Sequence, residues 1–398
     1  MLISRKTFLQ TGSLVTASYL VPNFLKAMLK PEAINSNGKI LIILQLSGGN
    51  DGLNTIIPVR NDIYYKLRTQ ISIKPNNAVL LNDEAGIHPA LAFFKELFDK
   101  GELAILNNVG YPEPNKSHFR SMDIWQTASD SNQFLQSGWV GRYLDEACHS
   151  CSNPTQAMEI DDLLSLAMKG NKNKAIALKD PRKLYRESQE SFYKKLNSMH
   201  QPHTEVLTSY LYSTLSNTIN NAQYIFDQSK SNPSSASYPS TPIGKDLNSI
   251  ASLIKSDINT QVYYLSVGSF DTHNNQNQRQ EQLFKTINDA VGVFVADMKR
   301  NGKFKDVLLI TFSEFGRRVS ENASRGTDHG TANQMFFISG GLNKKGLLNG
   351  LPNLSQLQEG DLIYSEDFRK VYATLLKKWL GANDKDILGR ANGYYDFI

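Results

Sequence analysis

Short apolar runs that end abruptly in polar residues recur along this chain. Residues 38–47 (GKILIILQLS), 102–107 (ELAILN), 261–267 (QVYYLSV) and 307–310 (VLLI) are of this kind, and residues 335–338 (MFFI) form another. None alternates apolar with polar, so each reads as a strand buried on both faces, as in a parallel sheet. Helical spacing lies between them. Residues 89–100 place Leu91, Phe94, Leu97 and Phe98 on one stripe, and residues 278–301 and 365–380 read as further helices. Strand alternating with helix predicts an α/β fold around a mainly parallel sheet. The rhythm fades over residues 128–242. There 139–147 and 186–228 read as helices, 171–180 holds a candidate short strand, and 231–242 (SNPSSASYPSTP) is a Ser/Pro-rich loop. Residues 145–242 are therefore expected to be a largely helical cap or insertion, with a helix over 247–254 leading back to the main sheet.

In parallel sheets, ligands gather just beyond the carboxyl ends of the strands. Four such ends carry polar clusters: Asp51 after Gly48-Gly49, Ser117-His118, Asp271-Thr272-His273, and Glu314-Phe315-Gly316-Arg317. Asp328-His329-Gly330 follows on a loop. Each has a plain structural reading beside the functional one. Asn50-Asp51-Gly52 is good turn chemistry, Ser117 is a good helix N-cap, and Arg317-Arg318 could be a solvated helix face. His88 and His118, taken singly, read as satisfied structural histidines. Their shared position at strand ends gives the clusters weight.

The N-terminus changes the picture of where the protein works. A short basic segment, Ser4-Arg5-Lys6, precedes an uncharged, mildly apolar stretch over 11–25. This is the layout of an export signal, assigned to residues 1–30; an amphipathic N-terminal helix is the other reading. The stretch is too short and polar for a membrane span, and no other segment suits one, so no transmembrane span is expected in the mature chain. The motif SRKxFLQ resembles the twin-arginine export signal, with Lys6 in place of the second arginine.

Composition adds mainly exclusions. With 398 residues, 40% hydrophobic and 20% charged, the chain can bury a large core. A net charge of +5 without a dense basic tract gives no nucleic-acid signature. Two cysteines do not build a disulfide scaffold. Cys148 and Cys151 form a lone C-x-x-C, either a tight disulfide or two thiols, and stay outside the candidate site.

Asp and His together suit Zn²⁺ or Mn²⁺, whereas carboxylates alone suit Mg²⁺ or Ca²⁺. Asp51, Asp271, His273, Glu314, Asp328 and His329 are the candidate metal ligands. Two metals close together would stabilise attacking and leaving oxygens in phosphoryl or sulfuryl transfer. Ser117 is then the candidate nucleophile, and the planar fork of Arg317 the candidate clamp on a tetrahedral anion. A Ser/His/Asp hydrolase is the competing use of these residues, but no G-x-S-x-G elbow is present. No G-x-x-x-x-G-K-[ST] loop is present either.

In chain order, residues 44–58 (LQLSGGNDGLNTIIP), 115–127 (NKSHFRSMDIWQT), 269–276 (SFDTHNNQ), 311–318 (TFSEFGRR), 326–341 (GTDHGTANQMFFISGG) and 367–381 (DFRKVYATLLKKWLG) resemble the exported bacterial family DUF1501. The resemblance covers nearly the whole chain. That family is similar to a distant branch of the alkaline phosphatase and sulfatase superfamily, which implies a three-layer α/β/α sandwich. Carried over residue by residue, the resemblance implies Asp51 as a first metal ligand and Ser117 as the nucleophile. It sets Asp271 with His273 as a ligand pair, although Asn275 stands at the superfamily's usual spacing. The superfamily's Asp-His-Gly matches either Asp328-His329-Gly330 literally or Glu314-Phe315-Gly316 by strand. The strand match leaves His329 as the last metal-binding histidine and puts Phe315, which cannot coordinate, in a histidine's place. The sulfatase motif C-x-P-x-R is absent.

The sequence thus leads to the expectation of an exported, periplasmic or cell-envelope hydrolase of phosphate or sulfate esters. It would use a divalent metal, Zn or Mn, on a phosphate- or sulfate-bearing substrate or envelope component, with residues 31–398 as the domain. The alternative is a non-catalytic binding protein of the cell envelope with the same fold, recognising a glycan, an envelope component or a protein partner.

Overall fold

The computed structural model describes residues 37–147, 155–198 and 206–398. The expected export signal, Cys148, His149, Cys151, His200 and His203 lie outside them.

The central strand is β1 (Ile40–Leu46), and every residue after Ile40 is buried. After it come α1 (Ala92–Lys100), β2 (Leu103–Gly110), α2 (His118–Thr127) and α3 (Trp139–Ala147). Then follow β3 (Ala157–Glu159), β4 (Ile176–Ala177), α4 (Val206–Ser231), α5 (Pro242–Lys255) and β5 (Val262–Val267). The chain continues through α6 (Gln276–Arg300), β6 (Val307–Phe312), β7 (Asn333–Ile338), β8 (Gly346–Leu347), β9 (Glu366–Asp367) and α7 (Phe368–Thr374).

Among the described residues, nine strands make the main sheet in the order β8-β2-β7-β6-β1-β5-β3-β4, with β9 also paired to β2. β1 runs parallel to β5 and β6, with Leu44 opposite Leu265 on one side and Thr311 on the other. β7 is antiparallel to both β2 and β6. The sheet is therefore mainly parallel with one reversed strand. An apolar run fixes burial on both faces, not strand direction, so this reversal was not legible beforehand.

The period of two along each strand splits the core. Ile42 and Leu44 pack with Phe94 and Leu97 of α1, Leu247 of α5, and Ile287 and Val291 of α6. Leu41 and Ile43 pack on the other face with Trp125 of α2, Tyr143 of α3 and Tyr372 of α7. The result is three layers, helix, sheet and helix. Each fully buried Leu or Ile contributes about 1.5–3 kcal/mol. Local signals set the helix ends. Gly101 closes α1 in a left-handed conformation (φ 69°), and Thr241 caps α5 ahead of Pro242.

The segment 145–242, expected to be largely helical, also carries β3 and β4, which extend the main sheet from β5. β4 falls within residues 171–180, where a short strand is expected, whereas β3 is too short to show periodicity and is revealed by its pairing with β5.

His88 shows how burial sets proton affinity in this core. Its Nδ1 accepts from the Ala90 N–H at 3.1 Å, and its ring packs edge-on against Phe284. Burial pushes its pKa down from 6.5 to about 4, with nearby Asp51 opposing. The folded pKa lies below the unfolded one, so this contribution to stability is intact above pH 6.5 and erodes as pH falls toward about 4. At about pH 4.5 the loss amounts to roughly 2–3 kcal/mol. His88→Asn, which keeps a capping acceptor but does not titrate there, is expected to lose about that much less stability than wild type between neutral pH and about pH 4.5. Urea unfolding of both proteins at the two pH values checks this, and equal losses would refute it.

Candidate functional site

The site sits at the carboxyl ends of β1, β5 and β6. After β1, Gly48 (φ 117°) and Gly49 (φ 78°) turn the chain in conformations open to glycine. A Cβ on Gly48 would lie 2.4 Å from the Asp271 nitrogen, and one on Gly49 2.3 Å from the Phe315 ring. The two glycines thus let the loops after β1, β5 and β6 touch.

Arg317 ties these loops together. It is 2% exposed. Its Nε donates to Gly49 O at 2.6 Å and Nη1 to Thr327 O at 2.9 Å. Nη2 donates to Gly48 O, to Phe270 O at 3.0 Å and to Asp271 Oδ1 at 2.7 Å. The fork expected to clamp a substrate anion is thus engaged with protein oxygens, because the turn carbonyls of three loops need a buried donor.

Asp51 is also engaged. Its Oδ2 accepts from Arg68 Nη1 at 2.5 Å and from Gln276 Nε2, and its Oδ1 accepts from the Leu53 N–H at 3.2 Å. Arg68 is fully buried and also donates to Val319 O and Arg318 O, each at 2.8 Å. Asp51, expected as a metal ligand, forms a buried ion pair with Arg68 and caps the short helix Gly52–Thr55. Neither Arg68 nor Gln276 carries a sequence signal that would have exposed this pairing. Asn275 begins α6 in a left-handed conformation (φ 46°).

Glu314 is 1% exposed. Its Oε1 accepts from the Gly48 N–H at 2.8 Å and from His118 Nδ1 at 2.9 Å. It holds His118, a residue that taken singly reads as a structural histidine. His118 is the first residue of α2, and its Nε2 is buried with no hydrogen-bond partner. The usable signal was its position beside Ser117 at a strand-end loop.

Three imidazoles converge on Asp271. His273 Nε2 lies 3.0 Å, His329 Nε2 3.3 Å and His118 Nε2 3.6 Å from Asp271 Oδ1. His273 Nε2 and His329 Nε2 are 3.0 Å apart. His329 is placed by a bridge between its backbone and that of Arg317, and its Nδ1 bonds Lys116 O at 2.8 Å. His273 Nδ1 bonds Asp328 Oδ1 at 3.1 Å. Asp328 thus lies one step back, behind His273. Phe315, buried, stacks at a tilt on His118 and His329 with centroids 4.8 and 4.7 Å away, and forms an apolar wall behind them.

Charge shapes the proton affinities. Glu314's hydrogen bond raises the His118 pKa against the opposing effect of burial. Burial pushes Asp271 up, but Arg317, His273 and His118 together bring it below the usual carboxylate value. His329 is held down by burial, with Arg317 and His118 adding to the effect. Burial also works against Asp328's ionisation, but Asn322 and His273 outweigh it and hold it low.

His118, Asp271 and His329 offer atoms that all lie within 4.8 Å of one another, a spacing that one ion could bridge. The donor chemistry fits a divalent metal: imidazole nitrogens, a carboxylate oxygen, and an orphaned buried nitrogen on His118. Ser117, exposed, is the N-cap of α2, and its hydroxyl makes no capping bond. Among the described residues, no helix is long and apolar enough to cross a membrane.

Comparison with solved structures finds low-identity similarity over most of the chain. The lipoteichoic acid synthase LtaP from Listeria monocytogenes is 11% identical, with a TM-score of 0.41, 90% of this chain covered and 78% of that one. A phosphonate monoester hydrolase, SpPMH from Silicibacter pomeroyi, is 8% identical with a TM-score of 0.41 and the same coverage, 90% and 78%. The C-terminal periplasmic domain of EcEptC from Escherichia coli, in complex with Zn, is 10% identical with a TM-score of 0.38, and the coverage is 78% and 77%. No curated protein matches the chain. The protein of unknown function family DUF1501 matches residues 38–393, and the chain belongs to that family.

Proposed function

We propose that this chain is an exported, metal-dependent hydrolase of phosphate or sulfate esters, built on an alkaline-phosphatase-like fold. The observation that carries the reading is the convergence of His118 Nε2, His329 Nε2 and Asp271 Oδ1 at the carboxyl ends of parallel strands. A divalent ion there, Zn²⁺ or Mn²⁺, supplies Lewis-acid polarisation of the ester oxygens. His118, Asp271 and His329 would hold it, and Arg317 fixes the Asp271 carboxylate.

Ser117 is the nucleophile of this reading. It stands at the start of α2, where unpaired backbone N–H groups favour an anion. Its oxygen bonds to the phosphorus or sulfur, and the ester oxygen leaves with a proton as the free alcohol. Water then releases phosphate or sulfate and restores the serine. The substrate is a phosphate- or sulfate-bearing molecule, with components of the cell envelope suited to an exported protein. A second reading, a non-catalytic binding protein, draws on one observation: Asp51 and Arg317 are both tied up with protein partners.

Aryl phosphate and aryl sulfate turnover by the zinc- or manganese-supplemented protein tests the hydrolase. Activity is expected to vanish on chelation, to return with metal, and to fall by about a hundredfold or more in Ser117→Ala and in His329→Ala. No turnover of either ester by the metal-loaded wild type would favour the binding protein.

Arg317→Lys is expected to destabilise the fold by about 2–4 kcal/mol in urea unfolding, because one ammonium cannot reach the turn carbonyls of three loops. Unchanged stability would remove Arg317's role as the tie between them.

A further inference from the structure

We infer that Asp361 is a positioning residue: through Lys116 it sets where Ser117 stands at the start of α2. This rests on the hydrolase reading above, in which Ser117 is the nucleophile, and adds to it a carboxylate from a hairpin distant in sequence.

The stretch between β2 and α2 has little of its own to hold it. Pro112 and Pro114 bring no N–H. Residues 112–114 are exposed, and Glu113 is left-handed (φ 52°). Side chains pin the rest. The Asn115 N–H donates to the Tyr111 hydroxyl at 3.2 Å, and Asn115 Oδ1 accepts from the Ser117 N–H at 2.9 Å. The Ser117 hydroxyl is exposed and makes no capping bond, so its neighbours set its place. After it, His118 Nδ1 bonds Glu314 Oε1 at 2.9 Å. Before it, Lys116 is held at both ends. Its carbonyl meets His329 Nδ1 at 2.8 Å, and its ammonium pairs with Asp361 Oδ2.

Asp361 belongs to a small hairpin that pairs Leu357–Gln358 with Asp361–Leu362. That hairpin is itself fixed. Leu362 packs in an apolar cluster with Leu53, Ile57 and Val319. Thr331 Oγ1 donates to Leu362 O, and Arg318 Nη2 to Glu359 O. Asp361 is 2% exposed, with Arg318 Nε 3.4 Å from its Oδ1. A carboxylate in that place cannot turn to water, and leaving its charge uncompensated is costly, so it keeps the Lys116 ammonium in one direction. The hairpin thus aims the Lys116 stem, and with it the peptide that carries Ser117. Displacing a reacting group by about 1 Å can cost a hundredfold in rate.

Steady-state turnover of aryl phosphate and aryl sulfate by the metal-supplemented protein, with amide hydrogen exchange alongside, tests the tie. Asp361→Asn and Lys116→Met are each expected to lower kcat about tenfold, with KM changed by less than about twofold. The double variant is expected to lose about tenfold as well, not the roughly hundredfold loss of two independent effects. Amides of residues 115–118 are expected to exchange about tenfold faster in Asp361→Asn, while those of β1 exchange as in wild type. Lys95→Met, which removes a surface pair with Asp99 on α1, is the control and is expected to change none of these. Unchanged kcat in either folded variant, losses that multiply in the double variant, or unchanged exchange at 115–118 would each overturn the inference. Faster exchange in β1 as well would mark general destabilisation and overturn it too. If the metal-loaded wild type turns over neither ester, the hydrolase reading fails, and exchange at 115–118 in Asp361→Asn alone decides whether the tie holds the loop.

Discussion

The buried guanidinium of Arg317 is the interaction on which the site depends. Polar turns follow β1, β5 and β6, and each brings backbone carbonyls into a space with little water. Such groups cost about 1–3 kcal/mol each if left unpaired. Arg317 satisfies carbonyls of Gly48, Gly49, Phe270 and Thr327 with a single planar fork. The same fork reaches Asp271 Oδ1, so packing of the loops and aim of the carboxylate are one event. Gly48 and Gly49 allow this closeness, since a Cβ at either would strike a neighbouring loop.

Around that tie the charges fall into two groups of different character. Asp51 and Arg68 neutralise each other out of solvent, a costly arrangement unless both are fully bonded, and here they are. On the other side, Asp271, Glu314 and Asp328 face Arg317 and three imidazoles. Depressed affinity for protons at Asp271 and at His329 leaves both in forms that can donate lone pairs. Phe315 closes the back of the cluster, its ring packed against His118 and His329.

Much of this was legible in the chain. Apolar runs with abrupt polar ends gave the strands of a mainly parallel sheet, because burial on both faces leaves no polar position in the run. They also located Asp271, His273, Glu314, Arg317, Asp328 and His329 on neighbouring loops. What stayed hidden was how side chains divide the work. Arg317 and Asp51 have the chemistry of a clamp and a ligand, yet each meets a partner distant in sequence. Arg68 lies on an unremarkable stretch, and nothing local marks it as the partner of Asp51. His118, a lone histidine at a helix start, gained meaning only from Glu314 behind it and Asp271 before it.

The sequence by itself determined the alternation of buried strands with helices and the address of the candidate site, because periodicity and strand-end placement are local properties. It determined family membership too, through motifs spread over nearly the whole chain. Tertiary structure alone decided the antiparallel direction of β7, the entry of β3 and β4 into the sheet, and which polar groups face one another. The physical reason is one of range. A hydrogen bond of about 3 Å between residues far apart in the chain leaves no pattern along it. Whether an aspartate is a ligand or half of an ion pair depends on such bonds alone.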